Sequence, residues 1–332
     1  MTDVAKAAGV SQTTVSLILN NVAGARLSAD TRQRVRQAAD ELGYDLVRRS
    51  VARPKVNNTI GFVADEIATD PWSAQALEAV HEQVWQNGLL VSASFTKGDA
   101  DLEAAVREQM AGLPLRGLIF ATILTRRVTD PGFSRRLPVV LLNCYVADNA
   151  LPSVVPGELL GGYTATRHLI RAGHQRIAHI HGQSWMDASR DRLKGYRRAL
   201  SEAEIPFDPE LVRPGNWETR AGYEQTLALL ALEDRPTAIF CANDLMAFGC
   251  YEALAENGLR VPDDMSVVGY DDREIARDLR PALTTVLLPH ADMAAQATEL
   301  LFDQIEPQNG RYPRLKVECP LVERSSVAPP RR

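Results

Sequence analysis

A short stretch near the start of the chain carries side chains that form hydrogen bonds without bearing charge. The stretch, AGVSQTTVSLILNN, covers residues 8–21. On a helical wheel of about 100° per residue, Val15, Ile18 and Leu19 fall on one side. The opposite side carries a polar set with one leucine at its centre, made up of Thr13, Ser16, Leu17 and Asn20, with Gln12 at its N-terminal edge. The pattern predicts an amphipathic helix whose outer face is short, uncharged and hydrogen-bonding.

That outer face has the chemistry to read base edges in the major groove of DNA. Gln and Asn side chains pair with adenine edges, Ser and Thr bond several base groups, and an apolar side chain contacts a thymine methyl. Helix N-termini and nearby basic residues grip the phosphates. The alternative is a small helical subdomain whose polar face meets solvent, and the pattern alone leaves both interpretations open. An outward Leu17 favours DNA, because a lone leucine gains little from facing water.

The charge balance separates the first 58 residues from the rest. Residues 1–58 contain nine Lys/Arg and five Asp/Glu, a net charge of +4, while the whole chain carries −5. The remainder therefore carries −9. A basic segment on an acidic body predicts that this segment, and not the body, meets a polyanion.

Cysteine usage and the lack of export signals predict a cytoplasmic protein. No apolar run approaches the roughly 18 residues of a membrane span. The N-terminus lacks a basic segment followed by an apolar core. The cysteines are scattered without a CxxC pair, which favours free, mostly buried thiols in a reducing compartment. They are Cys144, Cys241, Cys250 and Cys319.

Three short helices are expected in residues 1–44, which we take as one DNA-binding domain. Their N-cap candidates are Thr2, Ser11 and Ser28, and their C-terminal signals are Gly9, Asn20–Asn21 and Gly43. The third helix has an apolar stripe at i, i+3, i+4 and i+7, formed by Val35, Ala38, Ala39 and Leu42. Residues 45–58 are basic and contain Pro54, so they are expected to form a hinge or linker.

From residue 59 onward, apolar runs of strand length alternate with helix-length amphipathic segments. The runs cover 59–64, 89–95, 117–123, 138–142, 176–182, 237–242 and 265–270. The helical segments cover 73–87, 101–111, 160–172, 190–203, 221–231, 245–257 and 291–305. This alternation predicts an α/β fold of parallel sheets flanked by helices. Because about 270 residues is large for one such sheet, two lobes are expected, with the ligand site in the cleft between them.

Several blocks of this sequence, in order, resemble the LacI/GalR family of bacterial repressors. DVAKAAGVSQTTVSLILNN and LSADTRQRVRQAADELGY resemble its helix-turn-helix domain. The blocks that resemble its effector-binding core are NTIGFVADEIATDPW, RHLIRAGHQRIAHIHG, DRLKGYRRAL, TAIFCANDLMAFGCYEAL, VPDDMSVVGYDD and PALTTV. The resemblance implies a three-helix helix-turn-helix domain and a two-lobed periplasmic-binding-protein-like core of doubly wound parallel sheets.

The same resemblance implies an effector-responsive regulator, most often a repressor, that binds near-palindromic operators as a homodimer or a dimer of dimers. Nothing C-terminal resembles a leucine heptad, so we expect a dimer. The core is expected to span residues 59–332. Lobe 1 is expected at about 59–158 and 289–319, and lobe 2 at about 159–288 and 320–328.

By this resemblance the second helix is the recognition helix. Leu17 stands where most family members carry arginine. The bidentate arginine–guanine contact, worth about 1–3 kcal/mol of discrimination, cannot form there. The matching half-site position is therefore not expected to be G, and T is the candidate. The expected DNA contacts are Ser11, Gln12, Thr13, Thr14, Ser16, Leu17, Asn20, Arg48, Val51 and Arg53.

The linker departs from the family pattern. Relatives place Pro-Asn after the Gly-Tyr, then a short helix whose leucine wedges into the minor groove and kinks the DNA. Here Leu46-Val47 and Arg53 stand at the matching positions. Three alternatives stay open: Val51 replaces that leucine, Arg53 enters a narrowed minor groove, or the linker does not fold on DNA.

Five core residues combine suitable chemistry with a matching family position. By the resemblance, Trp217 stacks on ligand rings and Arg192 forks onto ligand oxygens. Asn243 and Asp271 follow strands and bond hydroxyls, while Trp72 stands where relatives often have an aromatic residue. The set predicts a sugar or a nucleoside as effector. Each residue also has a structural alternative, since Asn243 and Asp271 are possible caps and Trp72 a possible core residue.

Other features favour binding over catalysis. Relatives commonly have Asp-Asn shortly before the Gly-Gly at 161–162, where this chain has Gly157-Glu158, and Glu158 is a candidate for part of that role. His179 and His181 share one side of a strand, but no third metal ligand is evident, so no metal is expected. There is no P-loop, GxSxG or HExxH motif, so neither a cofactor nor an enzyme is expected. The alternative function is a solute-binding protein without a DNA role.

Overall fold

The computed structural model describes two compact units, each taken by itself. They are Met1–Lys55, here the head, and Val56–Arg332, here the core. The described residues are 2–19, 28–41, 58–67, 71–133, 137–147, 149–303, 312 and 314–331. None of the helices in these ranges has the length and apolar composition that crossing a membrane requires.

The head contains three helices, α1 (Thr2–Ala8), α2 (Gln12–Leu19) and α3 (Ala29–Glu41). The amide of Thr14 donates to Ser11 Oγ at 3.1 Å, and the amide of Thr31 donates to Ser28 Oγ at 3.1 Å. Both predicted N-caps are therefore confirmed. Gly9 follows α1 with φ +64°, the left-handed conformation that ends a helix at low cost in glycine. The predictions for Asn20–Asn21, Leu42, Gly43 and the side chains of Thr2 and Leu19 lie outside the described residues.

The three helices of the head bury their apolar sides against one another. Val15 and Ile18 of α2 are 0% and 1% exposed. Burial of one such side chain contributes about 1.5–3 kcal/mol, so few residues hold this small unit together. The buried cluster consists of Val4, Ala5, Ala8, Val15, Ile18, Val35, Ala38 and Ala39. It confirms that Val15 and Ile18 mark the inward side of α2.

The first lobe of the core is built on a six-stranded parallel sheet of order β11-β5-β4-β3-β1-β2. Its strands are β1 (Thr59–Ala64), β2 (Leu90–Phe95), β3 (Leu115–Arg127), β4 (Val139–Tyr145), β5 (Ser153–Pro156) and β11 (Arg314–Val317). Helices α4 (Pro71–Gln86) and α11 (His290–Asp303) pack on one face, and α5 (Ala100–Ala111) packs on the other.

The second lobe is built on a four-stranded parallel sheet of order β7-β6-β8-β9. Its strands are β6 (Ile177–His181), β7 (Val212–Pro214), β8 (Ala238–Cys241) and β9 (Ser266–Val268). Its helices are α6 (Glu158–Arg171), α7 (Asp187–Glu202), α8 (Thr219–Leu230), α9 (Asp244–Glu256) and α10 (Glu274–Asp278). Helices α6 and α7 cover one face and α8 and α9 the other. A short antiparallel pair is formed by β10 (Thr285–Val286) and β12 (Leu321–Val322).

The expected α/β architecture of parallel sheets in two lobes is confirmed. Every apolar run and every helical segment expected from residue 59 onward overlaps an observed element. The sequence patterns missed β5, β7, β10, β11, β12 and α10, which have two to five residues each. Elements of that length contain too few residues to display a period.

Candidate functional site

The start of α2 presents polar side chains away from the apolar cluster of the head. Ser11, Gln12 and Thr13 are exposed, and Thr14 is half-buried. Ser11 Oγ also lies 2.9 Å from Thr14 Oγ1, so this hydroxyl serves the helix cap. Among the other expected DNA contacts, Ser16 and Leu17 belong to α2, but their side chains lie outside the described residues. Asn20, Arg48, Val51 and Arg53 also lie outside them.

A cavity of about 550 Å³ lies between the two lobes of the core. Its size suits a small organic ligand. All five expected effector residues line it: Trp72, Arg192, Trp217, Asn243 and Asp271. The remaining lining residues are Ile123, Leu124, Thr125, Asn143, Glu158, Met186, Ala188, Glu218, Leu245, Arg273 and Leu288. The first sheet contributes residues of β3 and β4 to the lining, while Asn243 and Asp271 follow β8 and β9 of the second sheet.

Trp72 enters the cavity from the first turn of α4. Its ring stacks on His290 with 4.9 Å between ring centroids. The Arg273 guanidinium lies 4.5 Å from the ring centroid. The half-buried indole is therefore held from two sides, and it combines packing with exposure to the cavity.

Trp217 occupies the facing wall with an unusual backbone conformation. Its φ is +75°, and its indole N–H donates to Met186 Sδ at 2.8 Å. A Cβ at Gly182 would overlap the Trp217 ring, so the glycine is what lets the indole lie against the end of β6. The strained conformation and the close approach together fix the ring at the cavity wall.

Arg192 of α7 forms a buried bidentate ion pair. Its Nε lies 2.7 Å from Glu158 Oε2 and its Nη2 lies 2.9 Å from Glu158 Oε1. The two side chains are 3% and 4% exposed. Nη1 donates to the backbone carbonyl of Ala242 and lies 3.6 Å from Asp271 Oδ1. The resemblance implied that the Arg192 guanidinium donates to ligand oxygens. In this structure its Nε and Nη2 donate to the Glu158 carboxylate instead.

Two glycines bring Arg192 to Glu158. A Cβ at Gly162 of α6 would overlap the backbone of Arg192, and a Cβ at Gly195 of α7 would overlap the backbone of α6. The two helices therefore approach closely enough for the pair to form. Burial alone would lower the pKa of Arg192, but Glu158, Tyr270 and Asp271 together outweigh burial and the net shift is upward, so the guanidinium stays charged.

Asn243 and Asp271 reach the cavity from the ends of neighbouring strands. Asn243 Oδ1 accepts from the Met246 amide at 2.9 Å, so the alternative role as N-cap of α9 is confirmed. Its Nδ2 donates to the Trp217 carbonyl at 2.9 Å. Asp271 Oδ2 lies 3.6 Å from Arg273 Nε. Burial raises the pKa of Asp271, and the Arg192 and Arg273 guanidiniums oppose that rise.

Sequence reasoning missed four polar residues of the cavity, Thr125, Asn143, Glu218 and Arg273. Asn143, at φ +58°, donates from Nδ2 to the carbonyls of Thr122 and Ile123 at 2.9 and 3.0 Å. Its Oδ1 accepts from Thr125 Oγ1 at 2.5 Å. The signal for Asn143 was a polar residue inside the apolar run of β4, and for Arg273 it was the DDR triplet after β9.

The two histidines of β6 are held by backbone carbonyls. His179 Nδ1 lies 2.9 Å from the Phe240 carbonyl oxygen, and His181 Nδ1 lies 2.6 Å from that of Gly182. Burial lowers the pKa of His179 to about 3, so its ring is neutral. Within the described ranges, no cluster of three or more His, Cys, Asp or Glu side chains has the geometry to hold a metal ion. The thiols of all four cysteines are free and buried.

Two family models match the chain. Residues 1–45 match the model for bacterial regulatory proteins of the lacI family, and residues 166–327 match a periplasmic binding protein-like domain. The chain is 35% identical to the HTH-type transcriptional repressor PurR of Mannheimia succiniciproducens, over 98% of this chain and 97% of that protein. It is 33% identical to the ribose operon repressor of Haemophilus influenzae, over 98% of each.

A solved structure is similar to the chain over nearly its full length. The crystal structure of the lac repressor dimer bound to operator and the anti-inducer ONPF is 30% identical to the chain, with a TM-score of 0.68. The match covers 98% of both chains.

Proposed function

The chain belongs to the lacI family of bacterial regulatory proteins, and we propose which of its residues read DNA and which hold its effector. The family membership confirms the resemblance seen in the sequence. The protein is a transcriptional repressor with a DNA-binding head and an effector-binding core. Operator DNA, a small-molecule effector and a second copy of the chain are its partners.

We infer that α2 lies in the major groove with its polar side toward the bases. The support is the exposure of Ser11, Gln12 and Thr13, while Val15 and Ile18 of α2 are buried. A helix held in this way presents hydrogen-bonding groups while its apolar side stays anchored. The other contacts proposed for DNA are those of Thr14, Ser16, Leu17, Asn20, Arg48, Val51 and Arg53.

The core cavity is proposed to hold a sugar or a nucleoside. Trp72 and Trp217 offer aromatic faces for an apolar ring surface, and Asn243, Asp271 and Arg192 offer polar atoms for hydroxyls. The single observation that carries the proposal is that residues of both lobes converge on this one cavity. A ligand that contacts both lobes binds one lobe arrangement better than another, and it thereby shifts the arrangement of a dimer's two heads.

We propose that the cavity binds its effector without changing it, and that the protein acts in the cytoplasm, where its DNA is. Incubation of the bound effector with the protein, followed by mass spectrometry, tests the first point. Recovery of unaltered ligand supports binding alone, and a new product would contradict it.

Selection from random-sequence DNA with the full chain tests the head. We expect a near-palindromic site whose position facing Leu17 is not G, with T as the preferred base. A Leu17→Arg variant is the matched control, and it should acquire a preference for G at that position. Strong selection of G by the wild type would contradict the proposal.

A thermal-shift screen with D-ribose, D-glucose, cellobiose, adenosine and uridine tests the core. We expect at least one of these ligand classes to stabilise the wild type. A Trp217→Ala variant should lose most of that stabilisation. A ligand that stabilises the wild type and the Trp217→Ala variant equally would contradict the assignment of the effector site to this cavity.

A further inference from the structure

We propose that Glu158 determines the charge selectivity of the effector cavity: by holding Arg192, it makes the site accept an uncharged ligand and reject an anionic one. The inference rests on the proposed function above and narrows its ligand class. Phosphate esters and carboxylates of sugars and nucleosides are thereby excluded.

The first support is the geometry of the pair. Both nitrogens on one edge of the Arg192 guanidinium face the two oxygens of Glu158 at 2.7 and 2.9 Å. This is the bidentate arrangement with which arginine recognises carboxylate and phosphate groups in ligands. Glu158 thus occupies, from within the chain, the position that an anionic group of a ligand would take.

The second support is what surrounds the pair. Glu158 is the first residue of α6, where the helix dipole favours a negative charge. The remaining side of the guanidinium faces the Ala242 carbonyl and Asp271, and the Tyr270 ring lies 3.5 Å from its central carbon. An anion that reached Arg192 would have to displace Glu158. That would leave a buried carboxylate without its partner, which is a strongly unfavourable outcome.

The third support is the charge of the whole cavity. Its lining contains two guanidiniums, Arg192 and Arg273, and three carboxyl groups, those of Glu158, Glu218 and Asp271. If Asp271 is protonated, as its raised pKa favours, the net charge of these five groups is zero, and otherwise it is negative. In neither state does the cavity have an excess of positive charge to attract an anion.

An uncharged polyhydroxy ligand has suitable partners here. Each carboxylate oxygen of Glu158 keeps further acceptor capacity after it pairs with Arg192. Hydroxyl groups donate to such oxygens without breaking the ion pair. The cavity therefore favours ligands with hydrogen-bond donors and disfavours ligands with negative charge.

Matched ligand pairs test this on the wild-type full chain by calorimetry. The pairs are D-ribose and ribose 5-phosphate, D-glucose and glucose 6-phosphate, and adenosine and its 5′-monophosphate. We expect every cavity-bound ligand to be the uncharged member, with its phosphate ester at least about tenfold weaker. Tighter binding of a phosphate ester, lost on Arg192→Gln or Arg273→Gln, would overturn the proposal.

A gain-of-binding variant tests the same point without knowledge of the natural effector. Inorganic phosphate, against sodium chloride of equal ionic strength, should leave the wild-type melting temperature unchanged. It should stabilise Glu158→Gln, since this substitution releases the guanidinium while keeping the side-chain shape. The Glu158→Gln/Arg192→Gln double variant should lose the effect, and the control Glu252→Gln, at an exposed position of α9 outside the cavity lining, should not show it.

A folded Glu158→Gln that gains no phosphate binding would overturn the proposal. If circular dichroism shows that the Glu158→Gln variant is unfolded, calorimetry of the matched ligand pairs with the wild type tests the proposal instead. Operator binding by the ligand-free chain tests the proposed function separately. A repressor that binds DNA but responds to an anion would contradict only the inference about Glu158.

Discussion

The head and the core present their recognition side chains in opposite ways. In the head, Gln12 and Thr13 are exposed, uncharged and carried by a single helix. In the core, Arg192, Glu158 and Asp271 are ionisable residues, almost fully buried and drawn from separate elements. DNA is a large and ordered surface that a protruding helix can reach, whereas a small ligand must be surrounded.

The difference has an energetic consequence. Exposed polar groups are solvated when DNA is absent, so they need no partner within the head. Buried charges must be paired even when the cavity is empty, so the core contains its own counter-charges. Binding and stability should therefore be separable in the head and coupled in the core.

The largest effect is expected from breaking the buried ion pair. Arg192→Met leaves Glu158 buried without its partner and should destabilise the core by about 3–5 kcal/mol. Urea denaturation of the full chain measures this. The Glu158→Gln/Arg192→Met double variant should recover much of the loss, and Lys194→Met, at an exposed position of α7, should cost little. Equal stability of Arg192→Met and wild type would show that the pair does not hold the core.

Truncation of the head's own cluster comes next. Ile18→Ala removes a side chain that is 1% exposed and should cost the head about 2–5 kcal/mol. Hydrogen exchange by mass spectrometry should then show loss of protection in α1–α3 and unchanged protection in the core. Loss of protection throughout the core would contradict the treatment of the head as a separately packed unit.

Truncation on the other side of α2 should affect binding only. Gln12→Ala should lower affinity for the selected operator by about 1–3 kcal/mol and relax the preference at one base pair. Hydrogen exchange in the head should be unchanged, since Gln12 is exposed. A variant that loses stability and retains full specificity would reverse the roles assigned to the two sides of α2.

Measured per pH unit, the smallest effect is a pH dependence that belongs to the core. Asp244 accepts hydrogen bonds from the Thr285 hydroxyl at 2.6 Å and the Arg273 amide at 2.7 Å, and burial raises its pKa from 3.8 to about 7. Since the folded-state pKa lies above the unfolded value, the stabilisation is complete below about pH 4 and is lost as pH rises through about 7.

We therefore expect the contribution of Asp244 to the core's free energy of unfolding to fall between about pH 4 and about pH 7, by at most about 1.4 kcal/mol per pH unit. Urea midpoints across that range measure the slope, and Asp244→Asn should flatten it. An equal slope in the variant would assign the dependence to another group.

The same contrast explains which features the sequence revealed. The two sides of α2 could be predicted because a helical period sorts neighbouring residues without reference to the rest of the chain. The caps at Ser11 and Ser28 are equally local. The main sheets could be predicted because their central strands are continuous apolar runs.

The pairing inside the cavity could not be predicted in this way. Glu158 and Arg192 are 34 residues apart, and their contact depends on the close approach of α6 and α7. The dual role of Asn243, as cap and as donor to the Trp217 carbonyl, likewise requires the folded loop. The match to family positions did identify five cavity residues. Only the structure shows that the Arg192 guanidinium already pairs with Glu158.

The most direct test of the account is operator affinity with and without the effector, measured by fluorescence anisotropy on the full chain. The account predicts that an effector found in the thermal-shift screen changes operator affinity by about 5- to 150-fold. Trp217→Ala should keep the ligand-free affinity and lose this response. An effector that binds the cavity while operator affinity stays the same would contradict the claim that the core controls the head.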